Sequence, residues 1–391
     1  MKKENKLWLS LLFVVVFLLC LGMVAIYSSS AIIAANKFGN NWYFLKKQLT
    51  GLAIGGTGLI VFGLLDYQYL KYLSKPLVGV GLTLLILVLL FGKEVNGAKR
   101  WLWGFQPAEL IKVFLIIYLA DFLSQNQYLI KNPGNNLLIP GGIVTIIILL
   151  VLLQPSLGTA SIIFLSTFFM LVIGGLKKRY LTIIAAVSMA AGSICIYFSA
   201  YQKERVITWA KALFLGIIDD PLDKGYQINQ SLIAIGSGGP FGLGLGEGIQ
   251  KLFFLPEPHN DFIFSTIGEE MGFLGSIIFV VLPFALFVYL GLKIALRSNN
   301  LFGSLLAFGL TAQIGIQAIL NLCVVTVLLP VTGVTLPFIS FGSSSLVVSL
   351  FSVGIILNIS KNKHKLSYKS LDKKKRRGKI NNSKIPLLAP A

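Results

Sequence analysis

The sequence predicts an all-α integral membrane protein of about ten transmembrane helices, with a large ordered extracytoplasmic loop between the seventh and eighth. Composition gives the first reason: of 391 residues, 55% are hydrophobic and 13% charged, and the mean hydropathy is +0.80, whereas a soluble domain is about 25% charged. The apolar runs give the second. They have the length of a helix crossing a bilayer, about 20 residues, and lack the short alternation of a barrel strand. The third is a single long connection, residues 200–271, far beyond the usual helix-to-helix link and too rich in Leu, Ile, Phe and Gly to stay solvated.

Apolar runs fall near 8–28, 49–66, 77–92, 107–123, 137–153, 157–175, 181–199, 272–292, 302–328 and 339–359. The first follows Lys2, Lys3 and Lys6 and is longer than the apolar core of a signal peptide, so it reads as a span. An even number of spans puts both termini on one side. Lys and Arg concentrate in the loops of that side, which the positive-inside rule assigns to the cytoplasm. Residues 1–360 therefore form one polytopic domain and 361–391 a basic cytoplasmic tail, predicted to be disordered. The net charge of +19 lies largely in that tail, which argues for anionic headgroups or plain topological anchoring and against nucleic acid. Cys20, Cys195 and Cys323 sit inside apolar runs, without disulfide or metal spacing. The long loop is expected to fold back over the membrane as a cap on a cavity, partly as re-entrant helix.

The stretch "LPEPHNDFIFSTIGEE", 255–270, concentrates Glu257, His259, Asp261, Glu269 and Glu270 in an otherwise oily chain. Asp261 stands where the loop re-enters the bilayer. A carboxylate there is partly desolvated and suited to act as a general base, and it is equally placed to cap the following helix. Glu257 and Asp261 are candidate ligands for a divalent cation such as Mg²⁺ or Mn²⁺; nothing in the sequence points to an organic cofactor. In "NGAKRWLWGFQPAELIK", 96–112, Lys99, Arg100 and Lys112 could present cations to an anionic group such as a pyrophosphate, or Glu109 and Lys112 could simply neutralise each other. The glycines of "GSGGPFGLGLGEG", 236–248, follow no strand, so close backbone packing or a mobile flap explains them better than a dinucleotide site. "LLQPSLGTA" and "LPVTGVTLPFISFGSSS" break helices at outer turns, as at transporter binding sites.

These segments together resemble the SEDS family (shape, elongation, division and sporulation). The likeness runs through "FLKKQL", "NGAKRWL", "QPAELIK", "QPSLGT", "GYQINQSLIAIGSGG", "LPEPHNDFIFSTIGEEMG" and "LPVTGVTLPFISFGSSS", and "IGEEMG" after "HNDFIF" is closer to the division branch than to the elongation branch. The resemblance implies a peptidoglycan glycosyltransferase that polymerises lipid II by inverting transfer and releases undecaprenyl pyrophosphate. It places the essential loop Asp at Asp261. Lys99, Arg100, Lys112, Glu109, His259, Gln154 and Ser343 are the implied substrate- and pyrophosphate-binding residues, and a class B penicillin-binding protein is the implied partner. Four positions depart from the usual pattern: Ser156 replaces an Asp, Asn260 a Thr and Ala108 a Ser, and "SFGSSS" stands for "SYGGSS". A lipid II flippase, or a division scaffold acting through the tail, are the rival readings; a flippase needs access from both faces, whereas catalysis needs a base on the outside.

Overall fold

The computed structural model describes residues 6–95, 98–127, 137–198, 200–218 and 225–361. The helices are α1 (Leu7–Phe38), α2 (Tyr43–Leu64), α3 (Tyr69–Phe91), α4 (Pro107–Gln125), α5 (Leu138–Leu153), α6 (Leu157–Ile173), α7 (Lys178–Phe198), α8 (Ala200–Ala210), α9 (Tyr226–Ser237), α10 (Ile263–Ser276), α11 (Leu282–Leu296) and α12 (Leu301–Val325). The last described helix is α13 (Ser343–Lys361). A two-stranded antiparallel hairpin, β1 (Lys93–Val95) and β2 (Ala98–Trp101), joins α3 to α4.

Helices dominate because only they satisfy every backbone group within one segment in hydrocarbon. Among the described residues, six rods are long and apolar enough to cross a membrane: α1, α2, α3, the continuous Ile263–Leu296 rod, α12 and α13. α5 and α6 are apolar but shorter. Each of the ten apolar runs in the sequence falls on one of these or on α4 or α7. α4 escapes the strictly apolar class because it carries Glu109, Lys112 and Asp121, all buried. The basic tail lies outside the described residues.

The interior is built by α4, α12 and α13, whose apolar and polar side chains are buried together. Small residues let the outer rods approach them. A Cβ on Gly55 of α2 would lie 2.6 Å from Leu350 Cδ1 of α13 and 3.1 Å from Val347 Cα, so the glycines that dilute the second apolar run are its packing surface.

The long connection differs from expectation at its end. Helix resumes at Ile263, so the connection stops at Phe262 and 263–271 are helical rather than loop. Ile263, Phe264 and Ile267 are buried, and that burial draws the segment into the bundle. The connection itself holds α8, extended by a π turn at Lys211–Leu215, and α9. α9 is pinned by Ser231, whose hydroxyl meets Ser265 Oγ and the Val325 carbonyl, each at 2.8 Å.

The rod that begins at Ile263 is interrupted at Gly272, where φ is 68° and ψ −174°. That conformation is open essentially to glycine alone, and it frees the carbonyls of Glu269 and Glu270 and the amides of Phe273 and Leu274 from the helical ladder. The glycine-rich run takes their place. Leu243 and Gly244 donate N–H groups to the carbonyls of Glu269 and Glu270, both at 3.0 Å. In return Phe273 and Leu274 donate to the carbonyls of Gly239 and Pro240 at 2.9 and 3.1 Å. Close backbone packing is thus the role of these glycines.

The two adjacent carboxylates complete the splice. Glu269 accepts from the backbone amides of Ile249 and Gln250 at 2.8 and 3.1 Å. Glu270 is buried against Lys251 Nζ at 2.6 Å, and Ser28 of α1 donates to the same carboxylate. Lys251 also donates to the Gly246 carbonyl at 2.7 Å. Two of the five acidic and imidazole side chains in 255–270 are therefore anchors.

Gly242 tests the splice. It has φ +84°, and a Cβ there would lie 2.2 Å from the Glu270 carbonyl oxygen, whereas Gly246 has φ +91° with nothing within 4 Å. Gly242→Ala should lower the thermal unfolding midpoint in detergent by several degrees, and Gly246→Ala, which adds only left-handed strain of about 1–2 kcal/mol, by less. Equal shifts for the two would show that the close approach carries no stability.

Candidate active site

A cavity of about 510 Å³ opens at the end of the bundle that carries the hairpin. Its walls come from the start of α2 (Lys47), β2 and the turn after it (Arg100, Trp101, Gln106), the α5–α6 turn (Pro155) and the long connection (Arg205, Gln227, Glu257, Asp261). The fifth wall is the segment between α12 and α13 with the first turn of α13: Thr332, Gly333, Thr335 and residues 341–345. Most of these are helix ends or turns; Arg100 stands on β2 and Arg205 within α8. Proline and glycine breaks that in the sequence say only that helices stop converge here on one hollow.

Asp261 is held by its own backbone. Asn321 of α12 donates its side-chain amide to the Asp261 carbonyl at 2.8 Å and to the Val334 carbonyl at 2.7 Å. Two residues earlier the His259 carbonyl accepts from the Phe341 amide at 2.8 Å. Gly333 abuts the carboxylate itself, since a Cβ there would sit 3.3 Å from Oδ2. Asp261 makes no helix cap; α10 starts after Phe262 with no side-chain cap bond. Of its two sequence readings, the structure leaves the carboxyl free to face the cavity.

Burial raises the Asp261 carboxyl to about 6, the nearby Glu257 carboxylate pushes in the same direction, and Arg100 and Arg205 pull it partly back. Enclosure by protein outweighs two guanidinium groups because neither forms a close ion pair with it. Glu257 stays exposed at the rim and accepts from the Asn260 side chain at 2.6 Å.

The other predicted residues divide by geometry. Arg100 and Ser343 line the cavity with Asp261 and Glu257. Arg100 reaches across to the α5–α6 turn, donating from Nε to the Gln154 carbonyl at 3.0 Å and from its terminal nitrogen to the Pro155 carbonyl. Lys99 does not join it: successive strand residues point to opposite faces, and Lys99 is exposed on the far face. Gln154 is buried behind the wall, its side chain donating to the Leu85 carbonyl at 3.3 Å. Lys112 and Glu109 form a buried pair at 3.0 Å beneath the floor, and Lys112 also donates to Gln317 Oε1 at 2.9 Å. His259 is packed between Phe44 and Phe341, with ring centroids 4.2 and 5.7 Å away. Burial, with Lys37 adding repulsion, lowers the imidazole to about 4, which keeps it neutral.

Glu257 and Asp261, with the buried, unpartnered Oδ1 of Asn260 beside them, offer oxygen donors only. That set suits a hard cation such as Mg²⁺ or Mn²⁺ and not zinc. Among the described residues no group of three or more His, Cys, Asp or Glu converges. Ser156, where the resembling family carries Asp, is buried and bonded to Thr159 Oγ1 at 2.9 Å, behind the wall formed by its neighbours.

Lys47, Arg205, Asn321 and Gln317 complete the site and were not legible beforehand. Lys47 stands in "FLKKQL", which carries the family likeness without assigning that lysine a role, Arg205 stands in a segment with no diagnostic spacing, and Asn321 and Gln317 lie on an apolar helix where a polar amide signals only a buried partner.

The profile of the FtsW, RodA and SpoVE family, described as "Cell cycle protein", matches residues 9–365. The chain belongs to this family, the SEDS family. It is a multi-pass membrane protein. A probable peptidoglycan glycosyltransferase FtsW from Trichlorobacter lovleyi is 42% identical over 359 residues, covering 90% of this chain and 92% of the relative. Stage V sporulation protein E from Bacillus subtilis is 36% identical over 359 residues, 90% of this chain and 96% of that one. Among solved structures, a chain from a study of polymerization and crosslinking by a peptidoglycan synthase complex superposes with a TM-score of 0.75 at 29% identity, over 90% of this chain and 97% of its own. The Thermus thermophilus rod shape determining protein RodA gives 0.66 at 27%, over 90% and 96%.

Infrared titration of the carboxyl stretch should find a group with a midpoint near 6 that disappears in Asp261→Asn. Glu257→Gln should lower that midpoint and Arg205→Gln raise it, because the first removes a repelling anion and the second a stabilising cation. A midpoint that moves in neither variant would separate Asp261 from its presumed neighbours.

Proposed function

We infer that the chain is a peptidoglycan glycosyltransferase that polymerises lipid II into glycan strands in septal wall synthesis. The observation that carries this reading is the Asp261 carboxyl on the cavity wall, with Arg100, Arg205 and Lys47 lining the same hollow. The 4-hydroxyl of one disaccharide attacks the anomeric carbon of the other. Asp261 takes the hydroxyl proton, the anomeric C–O bond breaks, and the diphosphate leaves with the electron pair on the opposite face. A pKa near 6 suits the base, since the carboxylate is then ionised at neutral pH yet more basic than an exposed Asp. The cations of the cavity wall would neutralise charge developing on the diphosphate. Glu257 and Asp261 are the residues that would hold a divalent cation, which when bound adds to that neutralisation.

The family frame extends the reading to ten spans with both termini in the cytoplasm, the cavity on the outer side, and a class B penicillin-binding protein as partner. Every wall of the cavity belongs to one end of the bundle. A carrier of a charged headgroup would need a matching polar opening at the other end, whereas among the described residues the hollow there, of about 400 Å³, is lined mainly by apolar side chains such as Leu119, Phe122, Leu138 and Phe164, which favours the enzyme over the flippase.

Incubating the purified chain and its partner with lipid II, and resolving the glycan products on gels, tests the proposal. Wild type should give ladders, and Asp261→Asn should lose about 10²–10⁴-fold in rate. The rate should fall as pH drops through about 6, because protonation removes the base. Undiminished ladders from Asp261→Asn would refute the mechanism.

A further inference from the structure

The floor of the cavity contains a hydrogen-bond chain that the reaction as described does not use. Lys112 Nζ donates to Gln317 Oε1 at 2.9 Å, which fixes the orientation of that side-chain amide. Gln317 Nε2 then points to two residues of the cavity wall, donating to Ser345 Oγ and to the Thr335 carbonyl, both at 3.1 Å, with Thr335 Oγ1 at 3.4 Å. Next to it, the backbone amide of Gln106 donates to Ser344 Oγ at 3.1 Å.

The direction of these bonds decides what remains available. A hydroxyl has one proton, and its oxygen here is already accepting. Ser344 and Ser345 are 3% and 8% exposed and both line the cavity, yet neither spends its proton on an acceptor among the described residues. Both protons are therefore available to an acceptor that enters the hollow. They sit in the first turn of α13, whose leading backbone N–H groups also lack intrahelical partners and whose dipole favours an anion. Arg100 of β2 lines the same hollow, and Lys47 stands beside the turn, its carbonyl accepting from Ser343 Oγ at 3.3 Å. A carboxylate ligand would be served by one such pair; donors on two walls suit an anion with oxygens on several sides.

We propose that the first turn of α13 is the subsite for the leaving diphosphate, and that Gln317, held by Lys112, is the positioning residue that keeps its hydroxyl protons turned toward that anion. The proposal rests on the glycosyltransferase reading for the identity of the anion. It gives Lys112 a function without contact: the ammonium fixes one end of the Gln317 amide, and the other end fixes Ser345. It also separates the two halves of the site. Asp261 serves the attacking hydroxyl, and the 344–345 turn serves the departing group.

The test measures binding of undecaprenyl diphosphate and of undecaprenol to the detergent-solubilised full chain by quenching of tryptophan fluorescence, since Trp101 lines the cavity. Wild type should prefer the diphosphate. Gln317→Met and Ser345→Ala should each weaken diphosphate binding about tenfold, or about 1.4 kcal/mol, and leave undecaprenol binding unchanged. Ser345→Thr, which keeps the hydroxyl, should restore it. Should Gln317→Met fail to fold, Ser345→Ala and Ser345→Thr carry the comparison alone. Unaltered diphosphate affinity in a folded Gln317→Met or Ser345→Ala variant, or no preference for the diphosphate in wild type, overturns the subsite. Failure of this proposal alone would leave wild type making ladders and Asp261→Asn inactive, whereas failure of the underlying reading would leave wild type without ladders or that variant undiminished.

Discussion

The rest of the structure depends on a backbone exchange. The rod entering at Ile263 breaks at Gly272, and a break within a membrane-spanning helix leaves carbonyls and amides that water cannot reach. The glycine-rich run supplies their partners bond for bond, so the connection between α9 and α10 is fastened into the helix rather than laid over it. Lys251 and Glu270 fix the far side of the same splice to α1 through Ser28. The segment that carries Glu257 and Asp261 thus runs between two fixed ends, the Lys251 anchor and the start of α10.

That tethering explains how a long connection can present a carboxyl group in a fixed place. Catalytic groups need placement within fractions of an ångström, and loops meet that demand only when their own backbone is held. Asn321 grips the Asp261 carbonyl and Phe341 the His259 carbonyl, while both carboxylate oxygens stay uncommitted to strong hydrogen bonds from the wall. Holding the chain by its carbonyls leaves the carboxyl basic. A strong donor on the carboxylate would have made Asp261 a weaker base.

Charge in this interior is arranged in the same economical way. The Glu109–Lys112 and Glu270–Lys251 pairs are both buried and both extended by hydroxyl or amide groups, so no ion in either pair stands alone in low dielectric. One pair secures the cap and the other underlies the cavity floor. The site itself is walled by both signs of charge, Lys47, Arg100 and Arg205 with Glu257 and Asp261.

The sequence by itself determined the helical membrane class, the positions of the ten apolar runs and the family, and singled out Asp261 as a candidate. These follow from hydropathy over about 20 residues and from motifs that survive as contiguous strings, both of which are local properties. Only the tertiary structure decided which charges meet. Lys99 and Arg100 are neighbours in sequence, and strand alternation sends them to opposite faces. Of the two readings the sequence leaves open for Lys112, a cation for an anionic group or a neutralising partner of Glu109, the structure shows the pair with Glu109, extended to Gln317. The acidic pair 269–270, which in sequence is only part of an acidic concentration, is the fastening of the splice. Ser344, Gln317 and Asn321 carry no spacing that a reader of one strand could use, because their partners lie tens to hundreds of residues away and are brought close by the packing of α12 and α13 against α4 and the cap.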